Sequence, residues 1–144
     1  MLTHYKKHFI ISSLMIFISS SLLAERVRLT CPLETISFKV EVAQTPHDLA
    51  KGLMFRTHLK EDQGMLFLFS QSKAVTMWMK NTPLSLDMIF CTEQGKILAI
   101  HENATPYSLQ RIGPVEGTKQ VLEVKGGSVK KNGISKACVL TVDR

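Results

Sequence analysis

The chain has 144 residues, 44% of them apolar and 21% charged, which is the composition of one globular domain. Eight Gly and five Pro are too few for a disordered or collagen-like polymer. The formal charge of +6 is mild, and neither a concentrated basic stretch nor a recognition motif accompanies it, so nucleic acid is not an expected partner.

The first element is an address. Residues 1–8 are short and basic, with Lys6 and Lys7, and residues 9–24 are uncharged and mostly apolar. That order, ending on the small Ala24, reads as a secretory signal cleaved after Ala24. Residues 25–144 would remain as a single β-rich domain, periplasmic or secreted. The apolar run is shorter than the ~20 residues that span a bilayer. Leu22 is larger than the residue preferred two places before the cut, so an uncleaved N-terminal membrane anchor is the alternative. With cleavage, the protein meets a membrane only through the signal segment.

Residues 36–42 alternate apolar and polar, the pattern of a half-buried strand. Thr45, Pro46 and Asp48 then form a helix start, with Thr45 as N-cap, and Gly52 ends the helix. The apolar run 65–69 predicts a buried strand, and 75–79 and 86–92 predict two more, separated by Pro83. Glu93-Gln94-Gly95-Lys96 is a turn signal that makes a hairpin of 86–92 and 96–102. Residues 103–119, with Pro106, Gly113, Pro114 and Gly117, read as a long loop with room for a strand near Leu109. Residues 121–124 and 138–142 are the last strands. Between them Ser128 can cap one helical turn that Gly133 terminates, with a tight hairpin at Asn132-Gly133 as the weaker reading. Seven or eight short strands with one or two short helices predict a mainly β fold, a β-sandwich or a partly closed barrel.

In an exported chain three cysteines allow at most one intramolecular bridge. Cys31 and Cys138 lie near opposite ends of the mature domain, and the ends of compact domains are often neighbours. The expected pair is Cys31–Cys138, leaving Cys91 reduced and buried on its strand; a bridge to Cys91 is the alternative. No spacing fits a zinc site.

The densest run of chemistry is Gly52-Leu53-Met54-Phe55-Arg56, Gly64-Met65-Leu66-Phe67, Trp78-Met79-Lys80-Asn81-Thr82 and Leu86-Asp87. Followed by Pro106, Val121-Leu122-Glu123-Val124 and Gly126-Gly127, these blocks resemble the domain-of-unknown-function family 192, mostly exported bacterial and archaeal proteins. The resemblance spans residues 35–142 and implies a compact, mainly β fold with no reaction attached. Three positions depart from the family pattern. Ser85 precedes Leu86 where proline is common, Gly113 stands where serine is frequent, and Lys136-Ala137 replaces a Gly-Asp pair.

Arg56, Trp78, Lys80, Asn81 and Asp87 are polar or aromatic residues in apolar surroundings. One reading makes Asp87 an internal lock, accepting hydrogen bonds from backbone or from Arg56, because a charge near a core must be paired. The functional reading gathers all five around a cleft for a small anionic or sugar-like ligand, with Arg and Lys for charge and Trp78 for stacking. An envelope protein is the other expected type of partner. A second functional reading is a periplasmic Cu(I) site using Met77 and Met79, since thioethers are soft ligands.

Enzyme motifs fail. Ser70-Gln71-Ser72-Lys73 and Ser128-Val129-Lys130-Lys131 both fit S-x-x-K without its companion elements, and no phosphate loop, G-x-S-x-G or H-E-x-x-H occurs. Asp87 and Glu123 offer a carboxylate pair of unknown separation. The sequence favours a non-catalytic binding module without a cofactor, with an envelope enzyme as the alternative.

Overall fold

The computed structural model describes residues 25–143; the expected secretory signal and the expected cleavage after Ala24 lie outside the described residues. Strand β1 (Glu25–Thr30) buries Val27 and Leu29 and exposes Arg26 and Arg28. Strand β2 (Thr35–Ala43) buries Phe38, Val40 and Val42 on the same side. Helix α1 (Pro46–Lys51) starts as its sequence dictates, with the Thr45 side chain accepting from the Asp48 N–H and Gly52 at the C-cap. Then come β3 (Gln63–Met77), β4 (Leu86–Cys91), β5 (Ile97–Ala104), β6 (Ile112–Lys125), α2 (Ser128–Lys131) and β7 (Val139–Asp143).

All seven strands belong to one sheet in the order β5-β4-β6-β3-β2-β1-β7. Every neighbouring pair is antiparallel except β2 and β3, which α1 connects as a crossover. The sheet curls until β7 reaches the β4–β5 turn, where Lys96 bridges Val139 and the Leu140 N–H donates to the Gly95 carbonyl at 2.9 Å. A Cβ on Gly95 would lie 1.8 Å from the Leu140 carbonyl oxygen, so only glycine permits this closure. The result is a mainly β fold with two short helices, the partly closed barrel of the two architectures expected.

Two cores follow from strand parity. Leu66, Ile89, Leu122, Val124 and Leu140 fill the inside of the curl, with Val129 of α2 and Ile134 closing one end. Met65, Phe67, Met88, Phe90 and Val121 point to the outer face, where Leu53, Leu59 and Met79 cover them from the loops. Both faces of the central strands are therefore buried, and β4 has no exposed residue.

Four local expectations need correction. The runs 65–69 and 75–79 are one strand, β3, whose exposed middle bulges and keeps Lys73 paired with Thr118 of β6, and Trp78 and Met79 lie just past its end. The loop expected over 103–119 is confined to 105–111, and Leu109 is exposed within it rather than on a strand. Its turn-like residues sit at bulges: Val75 pairs with Val115 but Met77 with Ile112, and Lys73 pairs with Thr118, so β6 carries an extra residue at Gly113-Pro114 and another near Gly117. Strand β1 is additional to the strands expected. Ser128 is not the cap of α2: Gly127 holds that position, and the Ser128 hydroxyl is buried without a partner.

The structure joins Cys31 to Cys138, with their Cα atoms 4.1 Å apart, where β1 pairs with β7. This bond is compatible with an oxidising compartment. Among the described residues no helix is long and apolar enough to cross a membrane. Cys91 is free and fully buried, and burial pushes its thiol up to about 12, which removes it as a nucleophile.

Candidate functional site

Three loops meet over the outer core: residues 52–59 after α1, 78–85 between β3 and β4, and 105–111 between β5 and β6. Backbone bonds stitch them together. The Phe55 N–H donates to the Asn81 carbonyl at 2.7 Å, Met79 to Ser108 at 3.0 Å and Tyr107 to Thr82 at 3.0 Å. Asn81 turns the chain in the left-handed region, at φ 54°, which Asn tolerates better than most residues. Phe55 and Tyr107 also adopt positive φ and hold their rings in solvent.

Trp78, Lys80 and Asn81 gather here. Trp78 is 46% exposed, the Lys80 Nζ lies 5.1 Å from its ring centroid, and the Asn81 amide approaches the Met54 sulfur at 3.9 Å. Arg56 is directed elsewhere, to an ion pair with Glu41 beside a depression of about 200 Å³ that also includes Asp48 and Lys51. At its partial exposure this pair contributes about 1 kcal/mol at most.

Asp87 leaves the group altogether. It is 0% exposed and points into the barrel, not the outer face. Its Oδ1 accepts from the Asn103 N–H at 2.7 Å and the Gly127 N–H at 3.1 Å, and its Oδ2 from the Val129 N–H at 2.8 Å. The carboxylate thus serves α2 as the cap that Gly127 cannot supply from its own side chain. Of the two partners weighed for an internal lock, backbone is the one it takes, and Arg56 is not.

Glu123 is the residue that sequence reasoning left at the margin. Asp87 pairs with Val124 and Met88 with Glu123, so the two carboxyls face opposite sides of the sheet and form no catalytic pair. Glu123 is 4% exposed, lies between Met65 and Met88 on the outer face, and has no side-chain hydrogen bond or ion pair among the described residues. It lines a cavity of about 40 Å³ with Lys51, Met54, Phe67, Trp78, Lys80 and Thr82. Burial alone pushes its carboxyl up to about 8, so it is mostly uncharged near neutrality. A lone acid in the apolar run Val121-Leu122-Glu123-Val124 was the available signal.

That burial makes stability depend on pH. Between 4.5 and about 8 the folded chain keeps a proton the unfolded chain has lost, so the contribution present below 4.5 disappears as pH rises. Glu123→Gln is expected to match the parent below pH 4.5 and to exceed it by a few kcal/mol at pH 8, because each pH unit across that interval is worth about 1.4 kcal/mol. Thermal melts of both proteins across that range check it; equal stabilities at pH 8 would refute it.

Trp78 also borders a groove of about 300 Å³ with Thr76, Met77, Leu109 and Arg111. Met79 instead lines a separate depression with His101, Glu102 and Arg111, so Met77 and Met79 do not share one site. Among the described residues no group of three or more His, Cys, Asp or Glu side chains is placed to hold a metal ion. A depression of about 340 Å³ at the barrel seam includes Gln120, but its amide is committed to the Thr92 carbonyl at 2.9 Å.

The family model DUF192, described as "Uncharacterized ACR", matches residues 29–142. A proposed transcription regulator from Sinorhizobium meliloti 1021 has a similar structure, with TM-score 0.82 and 43% identity over 85% of this chain and 95% of that one. A protein of unknown function from Novosphingobium aromaticivorans DSM 12444 is similar at TM-score 0.78 and 35% identity, over 81% of this chain and 83% of that one. No curated protein matches the chain.

Proposed function

The chain belongs to the DUF192 family, and since that fold assigns no reaction, we propose from the site itself that it is an exported binding protein for a small ligand. The observation that carries this reading is Glu123, a buried carboxyl without a partner, facing a cavity whose rim is the half-exposed Trp78. An unpaired buried acid costs stability, and such groups cluster where a ligand supplies the missing partner. The groove along Met77, Trp78 and Leu109 gives the ligand apolar contact, and Lys80 and Arg111 give it charge.

The distribution of basic residues favours a small ligand over nucleic acid, whatever the role of the Sinorhizobium relative. Arg28, Lys39, Arg56, Lys125 and Lys131 each pair with a carboxylate, which lowers the charge a phosphate backbone would meet. Export is supported by the disulfide and by the layout of residues 1–24. N-terminal sequencing of the envelope fraction is expected to begin at Glu25; an intact Met1 in the membrane pellet would instead identify an anchor.

Trp78 is the sole tryptophan, so its emission reports the site without a label. A screen of anionic, neutral and sugar-like fragments is expected to find compounds that raise the melting temperature and shift that emission together. Stabilising compounds that leave the emission unchanged, or none at all, would reject the site.

A further inference from the structure

The cavity over Glu123 is selective by size. A bound water needs roughly 10–15 Å³ of such space, so about 40 Å³ admits a few waters or one small polar headgroup. Its charged neighbours are Lys51 from α1 and Lys80 from the 78–85 loop. The other elements against it contribute uncharged residues: Phe67 and Met77 from β3, Met88 from β4, and Thr82. The Thr82 hydroxyl already donates to the Lys80 carbonyl at 3.0 Å. Of the two buried polar side chains in the lining, Thr82 and Glu123, the one without a hydrogen-bond partner is therefore Glu123.

We propose that this cavity receives the carboxylate end of a small organic acid, with the Glu123 carboxyl donating a hydrogen bond from the floor and Lys51 and Lys80 holding the charge at the mouth. This assignment rests on the ligand-binding reading above and names its chemical class. Two cations at the mouth repel an amine and attract an anion. A carboxyl kept uncharged by burial is a donor, and an acid facing a carboxylate shares one proton with it, as two carboxyls close together do elsewhere. The tail of the acid lies along Trp78 and Met77, which border both the cavity and the adjoining groove. Arg111 stands at the far side of that groove.

The proton is the discriminating feature. Because Glu123 loses its proton near pH 8, affinity for a carboxylate is expected to hold from pH 6 to 8 and then fall about tenfold per pH unit. Hexanoate, phenylacetate, hexylamine and glucose are titrated into the full mature protein at pH 6 and pH 9, by calorimetry and Trp78 emission. The carboxylates are expected to bind at pH 6 and to weaken at least several-fold at pH 9. Glu123→Gln, which keeps the shape and an N–H donor but cannot titrate, is expected to flatten this profile. Lys80→Met is expected to weaken the carboxylates several-fold at both pH values. Carboxylate affinity that is unchanged between pH 6 and pH 9, or a profile that survives Glu123→Gln, would overturn the assignment. If hexylamine or glucose moves the Trp78 emission and the carboxylates do not, the assignment falls while ligand binding stands. If nothing binds at Trp78, both fall.

Discussion

Replacing Asp87 with alanine is expected to lower the melting temperature by more than about 10 °C, the largest effect of any single side chain outside the hydrophobic cores. The carboxylate ties β4 to two other elements at one point: the end of β5 through Asn103, and the start of α2 through Gly127 and Val129. Truncation leaves three N–H groups facing an apolar void. Each lost partner costs about 1–3 kcal/mol, and allowing for relaxation the sum is about 3–5 kcal/mol. That is a large part of the 5–15 kcal/mol by which domains of this size are stable. Asp87→Asn should cost less, because one oxygen still accepts, but its amide N–H₂ then opposes a backbone donor. Circular dichroism melts decide it. An alanine variant melting within about 2 °C of the parent would remove the lock and return Asp87 to the candidate ligand contacts.

Loss of the Cys31–Cys138 bond is expected to cost about 4–5 kcal/mol on the loop-entropy account, because the bridge spans 107 positions of sequence. Cys138 is buried and Cys31 less so, so Cys31→Ser with Cys138→Ala removes the bond without burying a new hydroxyl. Urea titration should show a lower midpoint for the double variant, as for the reduced parent. In the oxidised parent Cys91 should resist iodoacetamide until the domain unfolds, since it is buried and its thiol is held protonated. Two further alkylated cysteines in the native, unreduced protein would refute the pairing.

The parts of the fold legible in the sequence are those decided locally. Thr45, Pro46 and Asp48 set the start of α1 within four residues, and the 93–96 turn fixed the β4–β5 hairpin in the same way. What escaped was decided by partners far along the chain. Gly113, Pro114 and Gly117 carry turn chemistry, yet β3 pairs with that segment and absorbs them as bulges. Strand β1 owes its place to β2 on one side and β7 on the other, and its short alternation adjoins the segment read as an address.

The same distinction explains the site. Trp78, Lys80 and Asn81 are near neighbours in sequence and stay together in space. Arg56 and Asp87 were grouped with them by residue type, but Glu41 claims the first and the backbone of α2 claims the second. Glu123 acquires its character from burial on both sides of β6, a property of the sheet order that no local pattern announces. Asp87 and Glu123 differ in the face they occupy because their register places them one residue apart.

The pairing of β7 with the outer edge of β1 has a consequence for how the molecule is made. Strand β7 is synthesised after the other six strands, yet it covers an edge of β1, the earliest of them. A nascent or truncated chain that ends before Cys138 lacks β7 as well, and presents the open row of N–H and C=O groups on β1 and Cys31 without its mate. Open edges of this kind recruit strands from other molecules. Ribosome stalling or proteolysis before residue 138 would therefore yield self-associating fragments with a thiol available for intermolecular crosslinks, whereas arrival of Cys138 and β7 ends both hazards together.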